Sequence, residues 1–170
     1  MPDTIIDDLS KPLPYAHNGA QWELLSDAVM GGVSQGRISR EELAGRMANR
    51  MTGDVSLENN GGFIQMALAL DPAGGEVDWR DFGGLECEVY GNGETYAIHL
   101  RTADLVRPWQ SFRQIFLAEA RWQVIRLPFA GFAPHRTDAT LDLGRIRRLG
   151  FIAIGRAFRA DLALSSVKLY

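Results

Sequence analysis

Residues 53–70, with the sequence GDVSLENNGGFIQMALAL, carry the clearest structural pattern in the chain. Apolar residues alternate with polar or small ones on both sides of the central NNGG. Period-two alternation is typical of a strand with one buried face. Asparagine and glycine tolerate the positive φ values that a tight turn requires. The stretch therefore predicts a β-hairpin with Leu57 opposite Ile64 and Val55 opposite Met66, because a slip of one residue would reverse the faces.

A second hairpin is predicted for residues 85–102, with a type I′ turn at Asn92-Gly93. In this register the apolar side chains of both strands share one face. On the other face Glu86 lies opposite His99, with Cβ atoms about 5 Å apart. A carboxylate at that distance favours imidazolium, so the register predicts a raised pKa for His99.

Further short strands are predicted along the chain, and no stretch predicts a helix of ten or more residues. They lie at residues 21–25, 37–39, 112–117, 122–127, 148–154 and 162–170, with 112–117 paired to 122–127. Short strands at regular spacing indicate an all-β sandwich or barrel. Residues 1–19 contain three prolines and predict an N-terminal arm that lies on a single domain spanning residues 20–170.

Composition and motifs exclude several classes of protein. The net charge of −3 over 170 residues argues against a general nucleic-acid binder, and Cys87 alone permits no internal disulfide. The acidic N-terminus does not look like a secretory signal and no run is long enough to span a membrane, so a cytoplasmic location is expected. No phosphate loop, no histidine metal spacing and no GxSxG motif is present, so neither a catalytic residue nor a metal nor a cofactor is predicted.

Several segments together resemble the complex I intermediate-associated protein 30 family. The similarity lies in Trp22, SDAVMGGVSQG at 26–36, SLENNGGF at 56–63, DFGGLECEVYGNGETYAIHLR at 81–101, RWQVIRLPFAGFAP at 121–134 and IRRLGFIAIG at 146–155. The resemblance implies a jelly-roll β-sandwich of the galactose-binding-like type. Mitochondrial relatives are assembly factors for the membrane arm of respiratory complex I. The resemblance thus implies a non-enzymatic binding or assembly module with a protein partner, such as a respiratory-complex subunit. The fold also suggests a carbohydrate or small ligand as the alternative.

Two loops rich in glycine or asparagine are candidate binding segments. Glycines permit close approach of a backbone, and carboxylates and amides form directed hydrogen bonds. The candidates are Ser26, Asp27, Met30, Gly31, Gly32, Asn59 and Asn60. The alternative for the first loop is that Met30 and Val33 pack inward and cap the sandwich. The alternative for the asparagines is that turn geometry alone selects them.

Two tryptophans are candidate sugar platforms, because sugar C–H faces stack on rings while hydroxyls need polar partners. The first is Trp109, with Arg107, Gln110 and Arg113 nearby in sequence, and the second is Trp79, with Arg80 and Asp81. The alternative for each tryptophan is an aromatic ring that packs over a loop, since large aromatic side chains are buried on average.

Overall fold

A computed structural model describes residues 4–170, so the first three residues of the predicted N-terminal arm lie outside the described residues. Within this range the strands are β1 (Ile5–Asp7), β2 (Glu23–Ser26), β3 (Gln35–Leu43), β4 (Arg46–Val55), β5 (Phe63–Ala69), β6 (Gly84–Tyr90), β7 (Glu94–Thr102), β8 (Ser111–Ala118), β9 (Gln123–Pro128), β10 (Ala133–His135), β11 (Ile146–Ile154) and β12 (Phe158–Leu169).

The strands form two antiparallel sheets. Sheet I has the order β3-β4-β12-β6-β9, with β1 added to β12, and sheet II has the order β10-β8-β7-β11-β5-β2. Four short 3₁₀ turns complete the regular structure, and residues 4–170 contain no α-helix. The predicted all-β jelly-roll sandwich is confirmed. Within the same range, no helix has the length and apolar character needed to cross a membrane.

The predicted hairpin at residues 53–70 is wrong. β4 ends at Val55 in sheet I and β5 begins at Phe63 in sheet II, so the NNGG segment crosses from one sheet to the other. In a sandwich the apolar sides of both sheets point into one core. Alternation therefore identifies the buried side chains correctly but cannot tell whether two successive strands share a sheet.

The same reason explains two further corrections. β6 and β7 lie in different sheets, and so do β8 and β9. Glu86 consequently pairs with Lys168 and Arg126, whereas His99 lies opposite Arg113 and Gly150 in sheet II. The strands that do pair with their sequence neighbours are β3 with β4 and β7 with β8.

The core lies between the sheets and consists mainly of large apolar side chains. The largest fully buried ones are Tyr96, Phe112, Phe151, Met51, Ile64, Met66, Leu68, Leu85, Ile98, Leu100, Ile146 and Leu149. Burial of such a side chain contributes roughly 1.5–3 kcal/mol relative to exposure. Because both sheets bury one face, each keeps one outer face for solvent or a ligand.

The start of the described chain is joined to the sandwich by a buried polar contact. β1 pairs with the end of β12, and the buried carboxylate of Asp7 accepts a 2.7 Å hydrogen bond from Nε1 of Trp22. A buried carboxylate is tolerated where it is hydrogen-bonded. Residues 5–7 thus form part of sheet I.

Candidate functional site

The glycine-rich loop after β2 is organised by Asp27, whose side chain is fully buried. One carboxylate oxygen accepts from the backbone N–H of Ser34 at 3.0 Å, and the other accepts from the backbone N–H of Gly62 at 2.6 Å and of Phe63 at 3.3 Å. The Ser34 hydroxyl also donates to this carboxylate. Burial would raise the pKa of Asp27, but the hydrogen bonds from Ser34 and Gly62 outweigh it and the pKa is lowered.

Two glycines allow the chain to pass close to this carboxylate. A Cβ atom on Gly32 would lie 2.4 Å from Cγ of Asp27, and one on Gly61 would lie 2.4 Å from Oδ2. Gly31 ends the 3₁₀ turn at a φ of 84°, which favours glycine. The packing and backbone conformation therefore explain why glycine occupies these positions without any need for a ligand.

The remaining polar candidates of this region also bind within the protein. Asn59 Nδ2 donates to the carbonyl of Gly31 at 3.2 Å, which joins the two loops directly. Ser26 Oγ accepts from the backbone N–H of Ala28 at 3.2 Å. Asn59 and Asn60 have φ values of 56° and 59°, in the left-handed region that asparagine tolerates. The structure thus brings the two predicted binding loops into one unit.

The outer side of this unit is apolar and exposed. Val29 is 80% exposed, Met30 56%, Leu57 50% and Val33 43%, and we call these four side chains the loop-pair surface. The alternative in which Met30 and Val33 pack inward is therefore wrong. Exposed apolar groups on loops that are held rigid from beneath are typical of a docking surface.

The two tryptophan candidates have different environments. Trp79 is buried and stacks on Phe129 with ring centroids 5.6 Å apart, so its ring is not available to a sugar. Trp109 is 53% exposed in the loop between β7 and β8. The Arg107 guanidinium lies 5.7 Å from the Trp109 ring centroid, and Gln110 Oε1 accepts from the backbone N–H of Arg107 at 3.1 Å.

A polar track crosses the outer face of sheet II toward the Trp109 loop. It begins at a cleft of about 420 Å³ whose lining includes Gln21, Glu23 and Arg148. Arg101 lies opposite Arg148 in the strand register. Arg101 donates to the carbonyl oxygen of Pro108 at 2.9 Å, next to Trp109. Adjacent strands are about 4.8 Å apart, so this track extends on the order of 20 Å from β2 to β8.

Arg113 lies beside this track, on β8, opposite His99. Burial, and then the positive charges of His135 and Arg113, lower the pKa of His99 to about 4. The expectation of a raised pKa is wrong because the carboxylate of Glu86 is in the other sheet. Across residues 4–170, no group of three or more His, Cys, Asp or Glu side chains is placed to hold a metal ion.

The track and the environment of His99 were missed by sequence reasoning. Their residues come from five different strands and from the segment before β2, and strand order in a sandwich is not encoded by local alternation. The sequence does contain polar residues at alternate positions of strands whose other side is apolar. This pattern marks an outer face but does not indicate which strands are neighbours. Among the predicted site residues, Trp109 and Arg113 lie at this sheet, far in sequence from the loop-pair surface.

Comparison with known proteins gives a family and a fold. The model of the complex I intermediate-associated protein 30 family matches residues 14–164. No curated protein matches the chain.

Solved structures with the same fold include carbohydrate-binding modules. A family 11 module from Clostridium thermocellum, solved with a β-1,3-1,4-mixed-linked tetrasaccharide, superposes with a TM-score of 0.74 at 14% identity, over 98% of this chain and 94% of that chain. A family 30 module of a cellulosomal cellulase from the same organism has a TM-score of 0.66 at 16% identity, over 100% of this chain and 98% of that chain. Similarity at this identity shows a shared fold.

Proposed function

The chain belongs to the complex I intermediate-associated protein 30 family, and from this membership we propose that it is a non-catalytic module that binds a protein partner through the loop-pair surface. The family description supports a partner that is a subunit of a respiratory complex during assembly. The proposal includes no chemical step, because binding alone accounts for the arrangement of these residues.

The observation that carries the proposal is the rigid presentation of exposed apolar side chains. The buried Asp27 carboxylate connects the first loop to Gly62, and Asn59 connects the second loop back to Gly31. Loops held in this way lose little conformational entropy when they bind, which favours affinity. Val29 and Met30 can then be desolvated by an apolar partner surface.

The proposal is tested with two matched valine variants. Val29 is 80% exposed on the loop-pair surface, and Val106 is 82% exposed on the loop that carries Trp109. We expect Val29→Asp to abolish co-purification of a respiratory-complex subunit with the tagged chain in its host, while Val106→Asp retains it. Both variants should keep the melting temperature of the unmodified chain, since neither side chain is packed. Equal retention of the subunit by both variants would refute docking at this surface.

A second candidate function, carbohydrate binding, is favoured by a separate observation. Trp109 is 53% exposed at one end of a polar track that contains Arg101, Arg148 and Glu23. Such a combination can stack on sugar rings and bond their hydroxyls. The carbohydrate-binding modules that share this fold support the same candidate.

Affinity electrophoresis in gels that contain mixed-linked β-1,3-1,4-glucan separates the two candidates. If the chain binds glucan, Trp109→Ala should restore its mobility to that in a glucan-free gel, while Met30→Ser should remain retarded. If protein docking is the only function, glucan should not change the mobility of any variant.

A further inference from the structure

The outer faces of the two sheets differ in how their polar groups are paired. On sheet I, Glu86 accepts from both Lys168 and Arg126 at 2.9 Å, and Arg50 bonds both Asp161 and Glu41. Hydrogen bonds from Lys168 and Arg126 lower the pKa of Glu86. These charges are paired within the protein, so they present little unused bonding capacity to a ligand.

The centre of the outer face of sheet II shows the opposite arrangement. Gln65, His99, Arg113 and His135 lie on four different strands and are all half-buried. Within residues 4–170, none of these side chains makes a hydrogen bond or an ion pair. His99 and His135 approach with ring centroids 5.9 Å apart, and Nε2 of His99 is buried without a partner. Buried polar groups without partners are rare in proteins and call for a physical explanation.

Gly150 lies in the middle of this cluster and makes room for the side chain of Gln65. It lies opposite His99 on the neighbouring strand, and a Cβ atom there would be 1.9 Å from Oε1 of Gln65. The Gln65 side chain therefore lies across the glycine. Ser111, opposite His135, adds a buried hydroxyl that has no hydrogen-bond partner among the described residues. The cluster thus combines polar groups without partners around a glutamine side chain that packs on the glycine.

The charges around the cluster are positive. Arg113 faces His99 from β8, Arg136 follows His135, and Arg101 is two residues from His99 on β7. Glu23 on β2 lies three strands from His99 and is paired with Arg148 at 3.4 Å. Burial and neighbouring cations lower the pKa of His99, His135 and Arg101.

We propose that Gln65, His99, Arg113 and His135 form a site for a small anionic group, a carboxylate or a phosphate, carried by the ligand of this sheet. Arg113 supplies the charge, and the histidines and Gln65 supply further hydrogen bonds. A carboxylate or phosphate accepts several hydrogen bonds at once, which matches a set of convergent donors. The site is distinct from the loop-pair surface and stands whether or not that surface binds a protein.

The test uses three soluble probes that differ in charge: glucuronate, glucose 6-phosphate and glucose. We expect one of the two anions to raise the pKa of His99 and His135 in an NMR titration of the full chain, because a bound negative charge favours imidazolium. Glucose should leave both values unchanged. The anion that gives the larger shift distinguishes a carboxylate ligand from a phosphate ligand.

Two arginine variants complete the test. Arg113→Gln should weaken anion binding at least tenfold, as expected for loss of one hydrogen bond to a charged group. Arg37→Gln is the control, since Arg37 is exposed on sheet I and makes no ion pair among the described residues. Each of three results would overturn the proposal: unchanged anion binding by Arg113→Gln, an equal pKa shift of the histidines with glucose, or no pKa shift with either anion. If Val29→Asp does not release a protein partner, the proposal of an anion site is unaffected.

Discussion

Replacement of Asp27 by alanine should destabilise the protein strongly, because its carboxylate is the common acceptor for two loops. Removal leaves the backbone N–H groups of Ser34, Gly62 and Phe63 without that acceptor. An unsatisfied buried donor costs about 1–3 kcal/mol. The Phe63 bond is long at 3.3 Å, so we count two full losses, which gives a decrease of about 4 kcal/mol in the free energy of unfolding.

The assay is urea denaturation followed by tryptophan fluorescence, together with a thermal melt. For a chain of this length, about 4 kcal/mol corresponds to a decrease of about 8–16 °C in the melting temperature. The control is Asp54→Ala, whose carboxylate is 76% exposed and lies 3.4 Å from Arg159. It should change stability by less than about 0.5 kcal/mol. A loss below about 1 kcal/mol in the free energy of unfolding for Asp27→Ala would refute the role of Asp27 as the common acceptor for the two loops.

The effect should also depend on pH in a defined direction. The pKa of Asp27 is lowered in the folded protein, so its ionised form contributes stability above the unfolded pKa of about 3.9. That contribution is lost as pH falls through the lower folded pKa. The difference in stability between the unmodified chain and Asp27→Ala should therefore be constant above about pH 5 and decrease in stronger acid.

Three further predictions concern other buried positions. The pKa of His99 is lowered to about 4, so the unfolded chain takes up a proton near pH 6.5 that the folded chain does not. The midpoint of denaturation should therefore decrease as the pH is lowered from 6.5 to 4, and His99→Gln should flatten this dependence. Burial raises the pKa of the Cys87 thiol, so iodoacetamide should modify it only at the rate of unfolding, and rapid modification of native protein would contradict its burial. Gly53→Ala should cost about 3 kcal/mol in urea denaturation, because the added Cβ would lie 2.1 Å from a backbone carbonyl oxygen. Gly150→Ala should cost less, about 1 kcal/mol, because the added Cβ would meet only side-chain atoms of Gln65, and equal losses would contradict this distinction.

The sequence predicts the fold class and the buried residues better than it predicts which strands are neighbours. Leu85, Cys87 and Ile98 were assigned to one buried face and are indeed all in the core. Their alternation reports burial, which a sandwich provides equally from both sheets. Pairing depends on whether the connecting segment turns back or crosses over, and NNGG and GNGE permit either. The only information that resolves this lies in contacts between residues far apart in the chain.

The candidate site illustrates the same limit. Trp79 and Trp109 each have an arginine within two residues, yet one stacks in the core and the other is exposed. Asp27 could be recognised as a polar loop residue, but its partner Gly62 is 35 residues away. The pKa of His99 was predicted to be raised but is lowered, because the direction of the shift depends on which strand lies opposite. Each property is determined by a neighbour that only the three-dimensional arrangement supplies.

The order of strands also has a consequence for the synthesis of this protein. β11 and β12 follow the other ten described strands in sequence, yet β11 lies between β5 and β7, and β12 joins β4 to β6. When only the earlier strands have emerged from the ribosome, one edge each of β4, β5, β6 and β7 has no partner. Unpaired strand edges promote aggregation. Neither sheet can be completed until residues 146–169 emerge. The nascent chain therefore requires protection until residue 169 has emerged, and folding is then rate-limited by contacts between distant segments.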